Sequence, residues 1–374
     1  MSHTAIVQEL VDYYNDPSNK DFKEQFQQSF ALAHSTGLEV FDQYNVHTIE
    51  DYFDYMDTYV HWIPTEDKTG TNVFNHICLF YFILDMPPIS QQQDPIDPDT
   101  KAPYRYVSDW LIRYAQEMGS WMSTTASISA DTIATFYNAP NYRMQDYERP
   151  AGDWQTFNDF FARILKPGLR PVAPDTAEDI VIVSPADCAY DGQWVVDDQA
   201  EVTTFSVKGV PWSISQLLAD TQYGPAFAGG IFTHSFLGPS DYHRQHAPVA
   251  GRVVEAKVIP GICYLEVVLK PDPTLDAPDT AGYQFLQARG LILIDNPTLG
   301  LVAVLPIGMA QVSSVVLSVQ KGDYVEKGQE ISKFQLGGSD IVMVFQKDAN
   351  VKIDQVENQH YNYGTQVATA PRKA

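Results

Sequence analysis

The hydrophobic period of this chain changes once, and that change limits the fold more than any other feature. Up to about residue 145, apolar side chains recur three and four positions apart: Ile6, Leu10 and Tyr14; Phe22, Phe26 and Phe30; Phe53, Met56, Tyr59 and Val60; Val107, Trp110, Leu111, Tyr114, Met118 and Trp121. Such spacing lines one face of a helix. Beyond Ile180 it gives way to short runs of Val, Ile and Leu between Gly, Pro and Asp, as in Ile180 to Val183, Gly251 to Val258, Leu291 to Ile294 and Leu301 to Leu305. Runs of that length and bounding are strands. The predicted class is α+β, an all-helical domain over 1–145 ahead of a β-rich domain over 146–374.

Local signals place the breaks. Asp16-Pro17 separates the first two helices, Thr48 and Asp51 form a capping box for a helix ending near Pro64, and a further helix covers Asn72 to Leu84. Pro87, Pro88, Pro95, Pro98 and Pro103 exclude regular structure and mark a surface loop. Thr156 caps a helix with Phe157, Phe160, Phe161 and Ile164 on its apolar face, stopped by Pro167-Gly168. The aromatic stripes of the first third read as core packing before they read as a pocket.

Charge and cysteine usage narrow the function. With 24 Lys and Arg against 47 Asp and Glu, the formal charge of −23 repels nucleic acid and anionic membrane surfaces, so no nucleic-acid partner and no membrane docking are expected. Cys78, Cys188 and Cys263 form no CxxC, which argues against both a disulfide framework and a zinc site. Met1-Ser2-His3-Thr4 opens no targeting signal, and the apolar run Ile77 to Leu84 is too short to cross a bilayer. A cytoplasmic protein is the expectation.

Three places carry chemistry. Asp187 ends Ser184-Pro185-Ala186-Asp187; His243 and His246 stand three apart in Asp241-Tyr242-His243-Arg244-Gln245-His246-Ala247-Pro248; and Ser339 follows Gly337-Gly338. Singly, these read as a turn acid, a hydrogen-bonded histidine pair and a tight turn. Together, an acid, a base and a hydroxyl can form a Ser-His-Asp arrangement, which is defined by geometry and not by chain order. A metal held by His234, His243 and His246 lacks a completing Glu or Cys, so no metal is expected.

Phe157-Asn158-Asp159-Phe160-Phe161-Ala162-Arg163, Leu165-Lys166-Pro167-Gly168-Leu169-Arg170-Pro171, Pro185-Ala186-Asp187, Val207-Lys208-Gly209, the two-histidine segment and Gly337-Gly338-Ser339 resemble, in order, the motifs of the phosphatidylserine decarboxylase family. The likeness covers about residues 150–374. The helical first third resembles the soluble branch of that family, which includes fungal L-tryptophan decarboxylase. The resemblance implies a proenzyme that cleaves itself between Gly338 and Ser339 into a long and a short chain. The Ser339 hydroxyl attacks the Gly338 carbonyl, and elimination with loss of ammonia leaves a pyruvoyl cofactor made from Ser339. His246 is the candidate base, Asp187 its orienting acid, and His243 the candidate that returns a proton to the substrate α-carbon, although the two histidines can exchange roles. The substrate amine forms a Schiff base with the ketone, which replaces PLP as electron sink. The two chains stay associated because the strands flanking the cut are expected to pair in one sheet.

The family pattern has Ser or Thr after the serine, whereas this chain has Asp340, a charge that opposes a developing oxyanion and repels a substrate carboxylate unless a cation pairs with it or it stays protonated. Ala247-Pro248-Val249-Ala250-Gly251 and Lys321-Gly322-Asp323-Tyr324-Val325 resemble biotinyl and lipoyl turns without the modified lysine, and imply short strands in a sandwich or barrel. Three functions follow: a decarboxylase of a free, aromatic amino acid such as L-tryptophan; a phosphatidylserine decarboxylase; or an unprocessed, inactive binding scaffold. A homodimer is the default assembly.

Overall fold

The computed structural model describes residues 3–203, 211–219, 221–278, 282–310, 314–336 and 338–372; Gly337 and the Val207-Lys208-Gly209 motif lie outside the described residues. Helices α1 (Ala5–Asn15), α2 (Lys20–His34), α3 (Glu39–Gln43), α4 (Ile49–Val60), α5 (Asn72–Asp85), α6 (Tyr106–Met122) and α7 (Ala130–Tyr137) occupy the first part of the chain, followed by α8 (Phe157–Phe161) and α9 (Ile214–Leu217). Helix α4 starts at the predicted capping box, where Asp51 N–H donates to Thr48 Oγ1 and Thr48 N–H donates to Asp51 Oδ2. Helix α5 is buried continuously from Ile77 to Leu84, which explains an apolar run without a polar face.

Two local expectations are corrected. The proline-rich stretch contains a 3-10 turn at Ile89–Gln92, and Ile89 and Gln93 are buried. Their polar groups find partners on neighbouring helices, Ile89 N–H at Ser29 Oγ and Gln93 Nε2 at Leu84 O, so the loop is not confined to the surface. Helix α8 ends at Phe161, short of Ile164. Ile164 O accepts from Glu148 N and Lys166 N donates to Asp146 O, and this pairing with the preceding segment replaces the next helical turn.

The strands, in chain order, begin with β1 (Asp179–Val183), β2 (Cys188–Val195), β3 (Glu201–Thr203), β4 (Pro211–Ser213), β5 (Ile231–Leu237) and β6 (Arg244–His246). Next come β7 (Gly251–Ile259), β8 (Val268–Leu269), β9 (Leu275–Asp276), β10 (Arg289–Asn296), β11 (Gly300–Met309) and β12 (Val315–Leu317). Last are β13 (Tyr324–Val325), β14 (Glu330–Phe334), β15 (Gly338–Phe345), β16 (Lys352–Ile353), β17 (His360–Tyr361) and β18 (Gln366–Pro371). The main sheet runs β13-β7-β10-β11-β15-β5-β2-β17 and smaller sheets run β1-β18-β16 and β12-β14-β6. Its edge strands β13 and β17 do not pair with each other, so the sheet is open and the barrel half of the expectation does not hold.

Strand β15 is central, flanked antiparallel by β11 and β5. Strand β14, just ahead of it in the chain, belongs to a different sheet, which corrects the expectation that the flanking strands pair in one. The sequence after Gly338 is nevertheless interleaved with what precedes it, through β15 between β11 and β5, β17 on β2, and β18 on β1. One cluster of buried side chains extends from Val7 and Trp110 in the helices to Ile341 and Met343 on one face of β15. A second, containing Val342 and Val344, fills the other face.

Candidate active site

Successive strand residues point to opposite faces, and on β15 that alternation separates Ser339 from Asp340. Ser339 lies between Gly308 and Leu237, shares its face with Ile341 and Met343, and is fully buried with no hydrogen-bond partner for Oγ among the described residues. The segment leading into it is anchored from the helices. Leu336 N–H donates to Asn158 Oδ1 at 3.1 Å, and Asn158 Nδ2 donates to Ser123 Oγ at 2.9 Å, so α8 ties the segment ahead of Ser339 to the end of α6.

His243 and His246 differ sharply in surroundings. His243 is fully buried, stacks on Phe161 at 4.0 Å between ring centroids, and has no hydrogen bond of ordinary geometry at either ring nitrogen among the described residues. Its main-chain carbonyl accepts from Phe334 N, at the end of β14 that leads to Ser339. Burial, helped by the nearby Arg163 guanidinium, holds its pKa well below the ordinary histidine value. Arg163 is itself buried, lies 4.2 Å over the Tyr147 ring, and donates to Ser240 O at 2.7 Å, which fixes the loop leading into His243. His246 Nδ1 lies 2.8 Å from Gly328 O and Nε2 lies 3.2 Å from Tyr242 OH, while its ring stacks on Tyr363 at 3.8 Å. Because a carbonyl can only accept, Nδ1 carries the proton and Nε2 accepts. Burial lowers the His246 pKa too, opposed by Gly328 O and by the charges of Glu330 and Asp187.

The acid, base and hydroxyl do not form a hydrogen-bonded triad in this conformation. The buried Asp187 carboxylate takes both Nε and Nη2 of Arg170, at 3.1 and 2.6 Å to Oδ2, and Oδ1 accepts from Tyr363 N at 2.8 Å. Gly328 O therefore holds the His246 tautomer, the part expected of Asp187. Tyr363 links the two residues, its amide on the acid and its ring on the imidazole.

On the opposite face, Asp340 is fully buried and has His234 Nε2 at 3.2 Å from Oδ2. His234, on β5, also places Nδ1 3.1 Å from Asp191 Oδ2. Asp191 is the extra residue of a β-bulge in β2, where Tyr190 pairs with Ser235 and Gly192 with His234; the bulge turns its side chain toward His234. Sequence patterning marks His234 only as a candidate metal ligand and leaves Asp191 and Arg170 without roles. The readable signals are a lone histidine in the strand-like segment Ile231 to Leu237 and an Asp-Gly pair within a strand.

A cavity of about 650 Å³ opens between α6 and the sheet, lined by Ala115, Gly119, Ser123, Ala288, Ser314 and Gln335 among others, none of them charged. Ala288 O accepts from Gly308 N, and Gly308 is the register partner of Ser339, so one strand separates this part of the cavity lining from Ser339. Among the described residues no helix is long and apolar enough to cross a membrane.

Residues 157–369 match the family model described as phosphatidylserine decarboxylase. The chain is 33% identical over 226 residues to phosphatidylserine decarboxylase proenzyme 3 of Schizosaccharomyces pombe, covering 60% of this chain and 22% of that one. It is 32% identical over 246 residues to phosphatidylserine decarboxylase proenzyme 2 of Oryza sativa subsp. japonica, covering 65% and 38%. The phosphatidylserine decarboxylase proenzyme of Fusobacterium nucleatum is 32% identical over 269 residues, 70% of this chain and 81% of its own length. The chain thus spans well under half of the first two relatives. A solved glucose permease IIA from Mycoplasma capricolum overlaps 51% of this chain at 14% identity and a TM-score of 0.26, too slight a likeness to carry any argument.

Proposed function

This chain belongs to the phosphatidylserine decarboxylase family, and from that premise we propose that it is a self-processing, pyruvoyl-dependent carboxy-lyase acting on phosphatidylserine. The observation that carries the reading is the Ser339 hydroxyl, buried at the start of a central strand with no partner. An unsatisfied buried hydroxyl costs about 1–3 kcal/mol, and here it is the hydroxyl of the Gly-Gly-Ser motif, the group that self-cleavage requires to be free.

In self-cleavage, Ser339 Oγ adds to the Gly338 carbonyl carbon while its proton passes to an imidazole. The Gly338–Ser339 C–N bond then breaks, the nitrogen takes the proton, and Gly338 is left as an ester on Oγ. Loss of the Ser339 Cα proton with cleavage of Cβ–Oγ frees the Gly338 carboxylate; water then replaces nitrogen, which leaves as ammonia. His246 suits the first transfer, because its Nε2 lone pair is free to exchange Tyr242 OH for the serine proton and Glu330 and Asp187 favour the resulting cation. His243 suits the later proton return. Arg163 and burial disfavour its charged form until a substrate carboxylate supplies the missing negative charge.

The orphaned Ser339 hydroxyl at the start of β15 fits a pyruvoyl group at position 339. Such a group supplies a ketone for the substrate amine and a sink for the electrons left by carbon dioxide. The strands around it keep water from the reacting atoms.

The relatives' names favour the phospholipid over the free amino acid expected from charge. A second reading, decarboxylation of a free amino acid, is favoured by the uncharged cavity beside α6, which offers no cation to a lipid phosphate. Intact mass under denaturing conditions, followed by carbon dioxide release from phosphatidylserine vesicles and from free amino acids, tests both. Two chains split after Gly338 with turnover of lipid support the first reading, and turnover of amino acids alone replaces it with the second. A chain that remains whole and inert would leave a binding scaffold.

A further inference from the structure

We propose that His234 carries the proton that balances Asp340, with Asp191 as counter-charge, and that this Asp340–His234–Asp191 chain lets an acidic residue stand directly after the scissile bond. The inference rests on the self-processing reading of Ser339. Its starting point is a carboxylate with no exposed surface and no hydrogen bond of ordinary geometry, a state that a buried anion does not sustain unless a positive charge or a proton neutralises it.

Three strands bring the compensating groups together. His234 on β5 faces Asp340 on β15 at 3.2 Å, and the bulge in β2 brings Asp191 within 3.1 Å of the other ring nitrogen. The Asp191 side chain is 30% exposed, so the far end of the chain reaches solvent while the near end is dry. Gln284 defines the alternative state. Its Oε1 accepts from Gly282 N at 2.5 Å, which presents its amide NH₂ to His234 Nε2 at 3.0 Å. A neutral His234 accepts from Gln284 and leaves Asp340 unbalanced; an imidazolium directs Nε2–H at Asp340 and Nδ1–H at Asp191. The second arrangement neutralises the buried carboxylate.

Attack of Ser339 Oγ develops negative charge on the Gly338 carbonyl oxygen, two residues from Asp340. An unbalanced carboxylate at that distance opposes the charge, whereas a paired one does not. His234 touches no reacting atom. It is a positioning residue, behind the sheet from Ser339.

The test follows self-cleavage of full-length chains by intact mass over time for wild type, His234→Gln, Asp340→Asn and the double variant. His234→Gln is expected to slow cleavage by at least about tenfold, and Asp340→Asn in the same chain to restore it to within about threefold of Asp340→Asn alone. A purely structural histidine gives no such rescue. Cleavage of His234→Gln at the wild-type rate, or a double variant as slow as His234→Gln, overturns the proposal while leaving the self-processing reading intact. A wild-type chain that stays whole overturns both. If His234→Gln does not fold, Asp191→Asn carries the same comparison. Slower cleavage with Asp340 in place, and no effect in the Asp340→Asn background, supports the proposal; equal rates in both backgrounds overturn it.

Discussion

The two faces of β15 treat their polar residues in opposite ways. Toward the helices, Ser339 is buried with no partner for its hydroxyl among the described residues, and buried His243 has no hydrogen bond of ordinary geometry at either ring nitrogen among them. Toward the second core, Asp340 meets His234, which in turn meets Asp191. A neutral hydroxyl or imidazole can be held ready for chemistry at a cost of a few kcal/mol, but an ion cannot, because its desolvation is several times larger. The face that carries Ser339 thus presents a neutral hydroxyl, and the carboxylate of Asp340 lies on the face where a histidine and a second acid stand in line with it.

The largest effect expected is from Ser339→Ala. It removes the nucleophile, so denaturing mass should show one uncut chain and no carbon dioxide release; a split chain would break the distinction between the faces at once. Next, His246→Asn should slow cleavage by about 10²–10⁴-fold, whereas His243→Asn should cleave and lose turnover instead, measured by fragment appearance and by carbon dioxide release on the processed fraction. Equal effects of the two on both steps would erase the difference between them.

Arg170→Met should lower stability by about 3–5 kcal/mol in urea unfolding, because it leaves the Asp187 carboxylate buried with one charge-assisted partner group gone. The loss should appear even when Ser339 is already alanine, which separates scaffold from chemistry.

Acid should act through the two histidines. His243 and His246 have lowered values in the fold, so below the unfolded value near 6.5 the unfolded chain takes up protons that the folded chain refuses. Their contribution to stability falls as pH drops below about 6.5, by up to about 1.4 kcal/mol per pH unit for each histidine. Asp85 and Glu66, raised by burial, act with the opposite sign, losing stability as pH rises through their folded values. The useful measurement is therefore a difference: between pH 5 and 6.5 the unfolding free energy of His243→Gln should change less steeply than that of wild type, by roughly one proton. Smallest is Ser120→Trp on α6, which projects into the cavity and should raise KM a few-fold with cleavage unchanged.

Much of this can be read from residue order. The period change, the Thr48 cap, the Asn72 helix and the motifs around Asp187, His243, His246 and Ser339 depend on near neighbours in sequence, and local physics writes them into spacing. Helix α8 is shorter than its periodicity predicts because main-chain pairing with residues 146–148, invisible to periodicity, takes over its last turn. The partners of the site residues are the least legible. Asp187 is held by Arg170, Gly328 orients His246, and β14 and β15 part into different sheets.

Residue order was enough for the α+β succession and for the family to which the chain belongs. It took the packed strands to show that Asp340 turns away from Ser339 and meets a histidine one strand over, with an acid turned toward that histidine by a bulge two strands over. A strand's alternation can be counted along the chain, but what waits on each face is set by register across strands distant in sequence, and a single bulge changes it.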